Sequence, residues 1–259
     1  MLPAKITMTT QNIKFPIINY LVCLGTLSIL PCTPIKENQS KNVPLLGMDD
    51  RGYTVRVGEQ SPDFNLEFPD GSSTSFEKLK GSVIMLQFTA SWCSVCIEEM
   101  PHIEKEIWKP YERAGLKLIG IDRDEPADIV TRFRKQMKIS YPLALDLGAQ
   151  VFQQFAAEDA GVTRNIIINP KGKIVFLTRL YDPLEFKEMI RVIHYQLEEK
   201  NKSEIEALTN EISILESALR PGPYNTTATY KKKRLLMQLK YELRKLNHLQ
   251  FYLNRKRPD

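Results

Sequence analysis

The sequence predicts an α/β protein: a central mixed sheet flanked by helices, followed by a C-terminal antiparallel helical hairpin. Three observations predict it. Apolar runs of strand length alternate with helical apolar stripes between residues 56 and 200. Late in that region NIIIN and KIVFLT flank the turn NPKG, which makes an antiparallel pair and a mixed sheet. Residues 203–259 then carry two further helical stripes joined by a Pro/Gly break. At 259 residues, 42% hydrophobic and 26% charged, the chain holds enough apolar material for one full core and an appendage.

Residues 1–32 read as an export signal or membrane anchor. Lys5 and Lys14 are the only charges before Lys36, and both precede the apolar run FPIINYLVCLGTLSIL. A positive start followed by such a run fits export. Retention as a membrane span is the alternative, although Pro16 and Asn19 make a poor membrane helix. Cys32 closes SILPC, which is similar to a bacterial lipoprotein signal, so Cys32 is a candidate lipidation site; Pro31 stands where such signals prefer a small residue. Residues 33–55, polar and broken by prolines, read as a flexible linker.

Order is expected to begin near Tyr53. PDFNLEF and the turn PDGSS suggest a short hairpin. SVIMLQFTA, residues 82–90, is continuously apolar, as a central strand buried on both faces should be. A helix follows, with Cys96, Met100, Ile103, Ile107 and Tyr111 on one stripe. Gly115 stops it and LKLIGI makes the next strand. DEPADIVTRFRKQM is a second helix, with Pro126 suited to its first turn. YPLALD is a short strand or a turn, and AQVFQQFAA a short helix. After the antiparallel pair, DPLEFKEMIRVIHYQLEE closes the domain as a helix capped by Asp182.

Chemistry concentrates at TASWCSVCIEEMP, residues 89–101. If the leader is removed, Cys93 and Cys96 are the only unmodified thiols, so no disulfide framework exists. The pair lies between a buried strand and the helix it feeds. There, unpaired backbone N–H groups and the helix dipole stabilise a thiolate at Cys93. Cys96 is one turn further on, within disulfide reach. Thiol–disulfide exchange is the predicted chemistry, with Cys93 forming a mixed disulfide and Cys96 resolving it. A structural zinc site takes four ligands, and His102 is the only histidine nearby, so no metal is expected. No cofactor is called for.

Trp-Cys-x-x-Cys after an apolar strand, followed by Glu99, Met100 and Pro101, resembles the exported TlpA/ResA-like branch of the thioredoxin superfamily. The likeness covers residues 58–199 and includes GEQSPDFNL, ASWCSVCIEEMP and LIGIDRD. It implies a thioredoxin fold over 56–200 and disulfide reduction in the periplasm or cell envelope, with cytochrome c maturation and envelope repair as family roles. Protein dithiols and disulfides are the implied substrates, with an upstream electron donor. Peroxidases share the fold, but their threonine lies three residues before the cysteine, where this chain has Ala90.

Residue by residue, Cys93 matches the family's nucleophile, Cys96 its resolving thiol, and Trp92 the aromatic that shapes the docking surface. Glu99 matches a carboxylate near the buried thiol, where it would raise the thiol pKa and relay its proton; a solvent-facing helix position is the alternative. Pro101 matches a family kink. Gln87 stands where many thioredoxins carry a buried aspartate, which places more weight on Glu99. The main departure is Thr163, which falls on the family's cis-proline. A non-proline cis bond costs about 2.5–4 kcal/mol, so this peptide is expected to be trans. Thr163 and Arg164 then take the substrate-docking position. Arg164 either favours the thiolate by its charge or points to solvent.

Residues 203–259 exceed what the fold needs. Ile205, Leu208, Ile212, Leu215 and Leu219 form a coiled-coil-like stripe on an acidic arm; Leu236, Leu239, Leu243, Leu246 and Leu253 form a second on a basic arm. Pairing between the arms is the simplest account; dimerisation, an acidic partner or anionic lipid are others. A scaffold or assembly module built on this hairpin is the competing function. A net charge of +5 gives no case for nucleic acid, which an exported chain would not meet.

Overall fold

A computed structural model describes residues 51–219 and 227–258. The leader, Cys32 and most of the expected linker lie outside the described residues. The linker ends earlier than 55, because Tyr53 and Val55 are buried in the core. Tyr53 forms an isolated antiparallel bridge with Ala156 and donates its hydroxyl proton to the carbonyl of Thr178.

The first hairpin pairs β1 (Asn65–Glu67) with β2 (Ser73–Ser75) and leads into the short helix α1 (Phe76–Leu79). Strand β3 (Ile84–Thr89) is buried at every position, which its unbroken apolar run requires. It feeds α2 (Ser94–His102), which passes through a π-helical stretch, Ile103–Trp108, into α3 (Lys109–Tyr111). The expected stripe Cys96, Met100, Ile103, Ile107, Tyr111 is buried along its whole length. Pro101 has no N–H to donate to the preceding turn, and the π-helical stretch begins two residues beyond it.

Next come β4 (Lys117–Arg123), α4 (Ala127–Met137), β5 (Leu143–Asp146) and α5 (Phe152–Phe155). Pro126 has an extended backbone and caps α4 instead of entering its first turn. YPLALD supplies strand β5. Then β6 (Arg164–Ile168) and β7 (Ile174–Arg179) form the antiparallel pair. The seven-stranded sheet runs β2-β1-β5-β4-β3-β6-β7, with β3 parallel to β4 and antiparallel to β6. One face packs a cluster around Phe88, Phe152 and Phe155; the other holds Met100, Ile103, Tyr111 and Ile193.

The expected division between the domain and its C-terminal extension falls between 200 and 203. A single helix, α6 (Pro183–Ala218), runs through it, capped by Asp182, whose carboxylate accepts from the N–H groups of Leu184 and Glu185. No glycine or proline interrupts residues 184–219, so nothing ends the helix there. Helix α7 (Thr227–Arg255) returns along it. Asn201, buried on α6, donates to the carbonyl of Leu246 and the side chain of Gln250. Leu253 is fully buried in the same cluster as Ile193 and Leu197, and the hydroxyl of Tyr252 donates to the carbonyl of Pro110. The end of α7 is thus part of the main core.

Candidate active site

Strand β3 ends beside the C-terminal end of β4, and the chain turns there into α2. Cys93 is the N-cap of α2: its backbone is extended, and its sulfur accepts from the N–H of Cys96 at 3.2 Å. Cys93 and Cys96 form a disulfide with Cα atoms 5.3 Å apart. They differ in access, for Cys96 is sealed and Cys93 retains slight exposure beside Trp92, which is 64% exposed. When the disulfide is reduced, the free helix N–H groups and dipole favour negative charge at Cys93.

Thr163 immediately precedes β6, which runs antiparallel beside β3. Its hydroxyl oxygen lies 3.1 Å from the Cys93 sulfur and 3.2 Å from that of Cys96. Disulfide sulfurs carry no proton, so the threonine hydroxyl is the donor. No cis peptide bond occurs among the described residues, and the bond before Thr163 is trans as expected. Thr163 is itself buried.

Glu99 lies one turn beyond Cys96 and is 1% exposed, which excludes the solvent-facing alternative. Its carboxylate accepts from the Asn165 amide at 2.6 Å. Burial pushes its pKa up to about 8, against the opposing hydrogen bonds of Asn165 and Gln87. Asn165 sits across from Gln87 in the β3–β6 ladder and also donates to the hydroxyl of Thr178. Gln87 accepts from the hydroxyl of Tyr141, whose own pKa is driven well above 10 by burial. The result is a polar layer, Tyr141–Gln87–Asn165–Thr178, closing around one carboxyl group inside an apolar core.

Arg164 takes neither of its expected positions. Residues alternate across a strand, so Thr163 toward the disulfide sends Arg164 to the opposite face. There it is completely buried, donating to the carbonyls of Arg51 at 2.6 Å and Gly161 at 3.0 Å, with its guanidinium over the Tyr53 ring. It anchors the entering chain. His102 also faces away from the thiols: it pairs with Glu106 and stacks on Tyr181.

Two acidic residues near the site were not anticipated. Glu125 accepts from both the backbone N–H and the hydroxyl of Ser91, each at 2.6 Å, and so pins the residue before Trp92. Asp122, opposite Thr89 in the β3–β4 ladder, is completely buried, and burial together with Glu125 pushes its pKa up to about 8. A signal for it existed, since an aspartate ends the apolar run LIGID. Asn165 had a similar one, an amide inside the run that makes β6.

A Cys-x-x-Cys disulfide at a helix N-terminus, fed by a central strand and backed by a buried carboxyl, is a thiol–disulfide exchange centre on a thioredoxin fold. Residues 57–177 match the AhpC/TSA family. Thiol-disulfide oxidoreductase ResA of Halalkalibacterium halodurans is 34% identical over 121 residues, covering 47% of this chain and 67% of that protein. The ResA of Bacillus subtilis is 28% identical over 122 residues, covering 47% and 66%. A solved structure of a candidate protein disulfide isomerase from Bacteroides thetaiotaomicron is 51% identical, with a TM-score of 0.55, over 56% of this chain and 92% of that one. The chain belongs to the TlpA/ResA-like thiol–disulfide oxidoreductases of the thioredoxin superfamily. It is a thiol–disulfide oxidoreductase, and that activity implies protein thiol substrates and redox partners.

Proposed function

We propose that this protein is an exported disulfide reductase acting on protein disulfides in the periplasm or cell envelope. The observation that carries the chemical reading is the unequal access of the two sulfurs, with Cys93 beside the exposed Trp92 and Cys96 sealed next to the helix turn that holds Glu99. In the reduced protein the Cys93 thiolate attacks a substrate disulfide. A bond forms between Cys93 and one substrate sulfur, and the other leaves as a thiolate that takes up a proton. Cys96, losing its proton to the ionised form of Glu99, then attacks the Cys93 sulfur. The Cys93–Cys96 bond forms, the mixed disulfide breaks, and the second substrate sulfur departs. Two electrons have passed to the substrate, and an upstream dithiol donor resets the pair. Throughout, the Thr163 hydroxyl donates to whichever sulfur carries charge.

Export rests on the leader at 1–32, with Cys32 as the site of lipid attachment if the segment is processed as a lipoprotein. Among the described residues no helix is long and apolar enough to cross a membrane. Reduction, not oxidation, is the direction that the family resemblance implies. The test is a redox titration of the pair alongside reduction of insulin disulfides. Cys93→Ser should abolish turnover and Cys96→Ser should trap the mixed disulfide. Full activity in Cys93→Ser, or no exchange by the wild type, would end the enzymatic reading and favour a scaffold.

A further inference from the structure

Helix α7 turns one side to α6 and leaves the other uncovered. Leu239, Leu243, Leu246 and Leu253 lie on the inner side, and Leu253 is fully buried. Tyr230, Met237, Tyr241 and Phe251 are each more than half exposed. At about 100° per residue these four fall within a wedge of about 80°, on the side opposite the leucines. Arg234, Arg244 and Arg255 fall in or beside the same wedge. Among the described residues none of these three arginines makes an ion pair, whereas Lys240 is held by Glu216 and Lys245 by Glu242. The whole helix carries eight Lys and Arg against one Glu. Pairing with the acidic arm therefore leaves Arg234, Arg244 and Arg255 outside the ion pairs of the described residues.

We infer that this outer face of α7 docks on an anionic lipid surface, with the helix lying in the plane of the headgroups. Tyrosine, phenylalanine and methionine tips would enter the acyl boundary while the arginines interleaved with them extend their guanidinium groups back to lipid phosphates, the arrangement in which amphipathic side chains place an apolar body and a polar end at different depths. The surface is one side of a single helix, with an open depression lined by Tyr241, Arg244, Lys245 and His248. A basic and aromatic helix face suits a fluid sheet of negative charge, which moulds itself to the side chains, whereas a folded acidic protein would have to supply a matching surface. The inference does not depend on the redox reading, since no residue of this face touches the thiols.

The test uses the full chain carrying Tyr241→Trp, compared with its parent, and vesicles of phosphatidylcholine alone or mixed with phosphatidylglycerol. Brominated acyl chains should quench the added tryptophan only when phosphatidylglycerol is present. In the triple variant R234E/R244E/R255E, anionic binding by this face should fall by about a hundredfold, given the usual contribution of each cation near such a surface. Insulin reduction in solution should be unchanged. Residues 1–32 are common to all variants, so the readout is the difference in quenching between anionic and neutral vesicles and its loss in the charge variants. R234Q/R244Q/R255Q replaces the reversed variant if that one does not fold. Equal quenching in neutral and anionic vesicles, or no loss on charge removal, overturns the proposal. So does an absence of lipid response accompanied by arginine-dependent binding of polyglutamate, which would assign the face to an acidic protein.

Discussion

The hydroxyl of Thr163 stands 3.1 Å from the sulfur of Cys93, across 70 residues of sequence, and donates a hydrogen bond that a proline there could not offer. A hydroxyl in that place stabilises charge on the attacking thiol. Removing it in Thr163→Val should raise the Cys93 pKa by about one unit, since a hydrogen bond to a charged group contributes about 1.5 kcal/mol or more. The reduced form loses that stabilisation, so the couple becomes more reducing, by about 30 mV. Thiol alkylation against pH and equilibration with glutathione measure the two shifts. An unchanged potential would show that the contact has no energetic consequence.

Glu99 sets the pH dependence. Its pKa is about 8 in the fold against 4.5 in the reference state, so the native protein holds a proton that the unfolded chain releases. Stability conferred below 4.5 is therefore lost as pH rises toward 8, at a limiting slope of about 1.4 kcal/mol per unit for this group. Urea melts of Glu99→Gln should lack that slope relative to wild type. In kinetics the same variant should exchange disulfides about a hundredfold more slowly and lose the inflection near pH 8, because an amide takes no proton.

Trp92 and Glu125 should separate docking from chemistry. Trp92→Ala is expected to raise KM for insulin about tenfold while leaving the reduction potential in place. Glu125→Ala leaves both Ser91 donors without their acceptor, at a stability cost of about 1–3 kcal/mol, and should raise KM in the same direction. A large change in Cys93 pKa in either variant would contradict a purely positioning role.

Arg164 should behave as an anchor. Arg164→Leu removes the donors to Arg51 and Gly161 and the cation over Tyr53, which should destabilise the protein by about 2–4 kcal/mol. Thermal melts check that loss. The potential and the KM for insulin should be unaffected at temperatures where the variant is folded. A selective rise in KM would return this residue to the docking surface.

Local order was legible because it is written in local spacing. The strand run before Cys93, the helical stripe from Cys96 to Tyr111 and the cap at Asp182 each depend on residues a few positions apart, and all are present. The continuity of α6 through 200–203 was not legible, because the apolar stripes on either side read as two helices although no breaker separates them. Composition also made the second arm look like an appendage, whereas Leu253 and Tyr252 return to the core through contacts with residues far away in sequence.

By itself, then, the sequence determined the redox pair: two cysteines one helical turn apart, placed where a buried strand delivers them to a helix N-terminus. Tertiary structure alone decided what surrounds them. The β3–β6 register brings Thr163 to both sulfurs and Asn165 to Glu99, and strand alternation sends Arg164 to the opposite face. Those outcomes depend on which segments become neighbours in the sheet. Burial, and with it the carboxyl pKa, exists only once the core has closed.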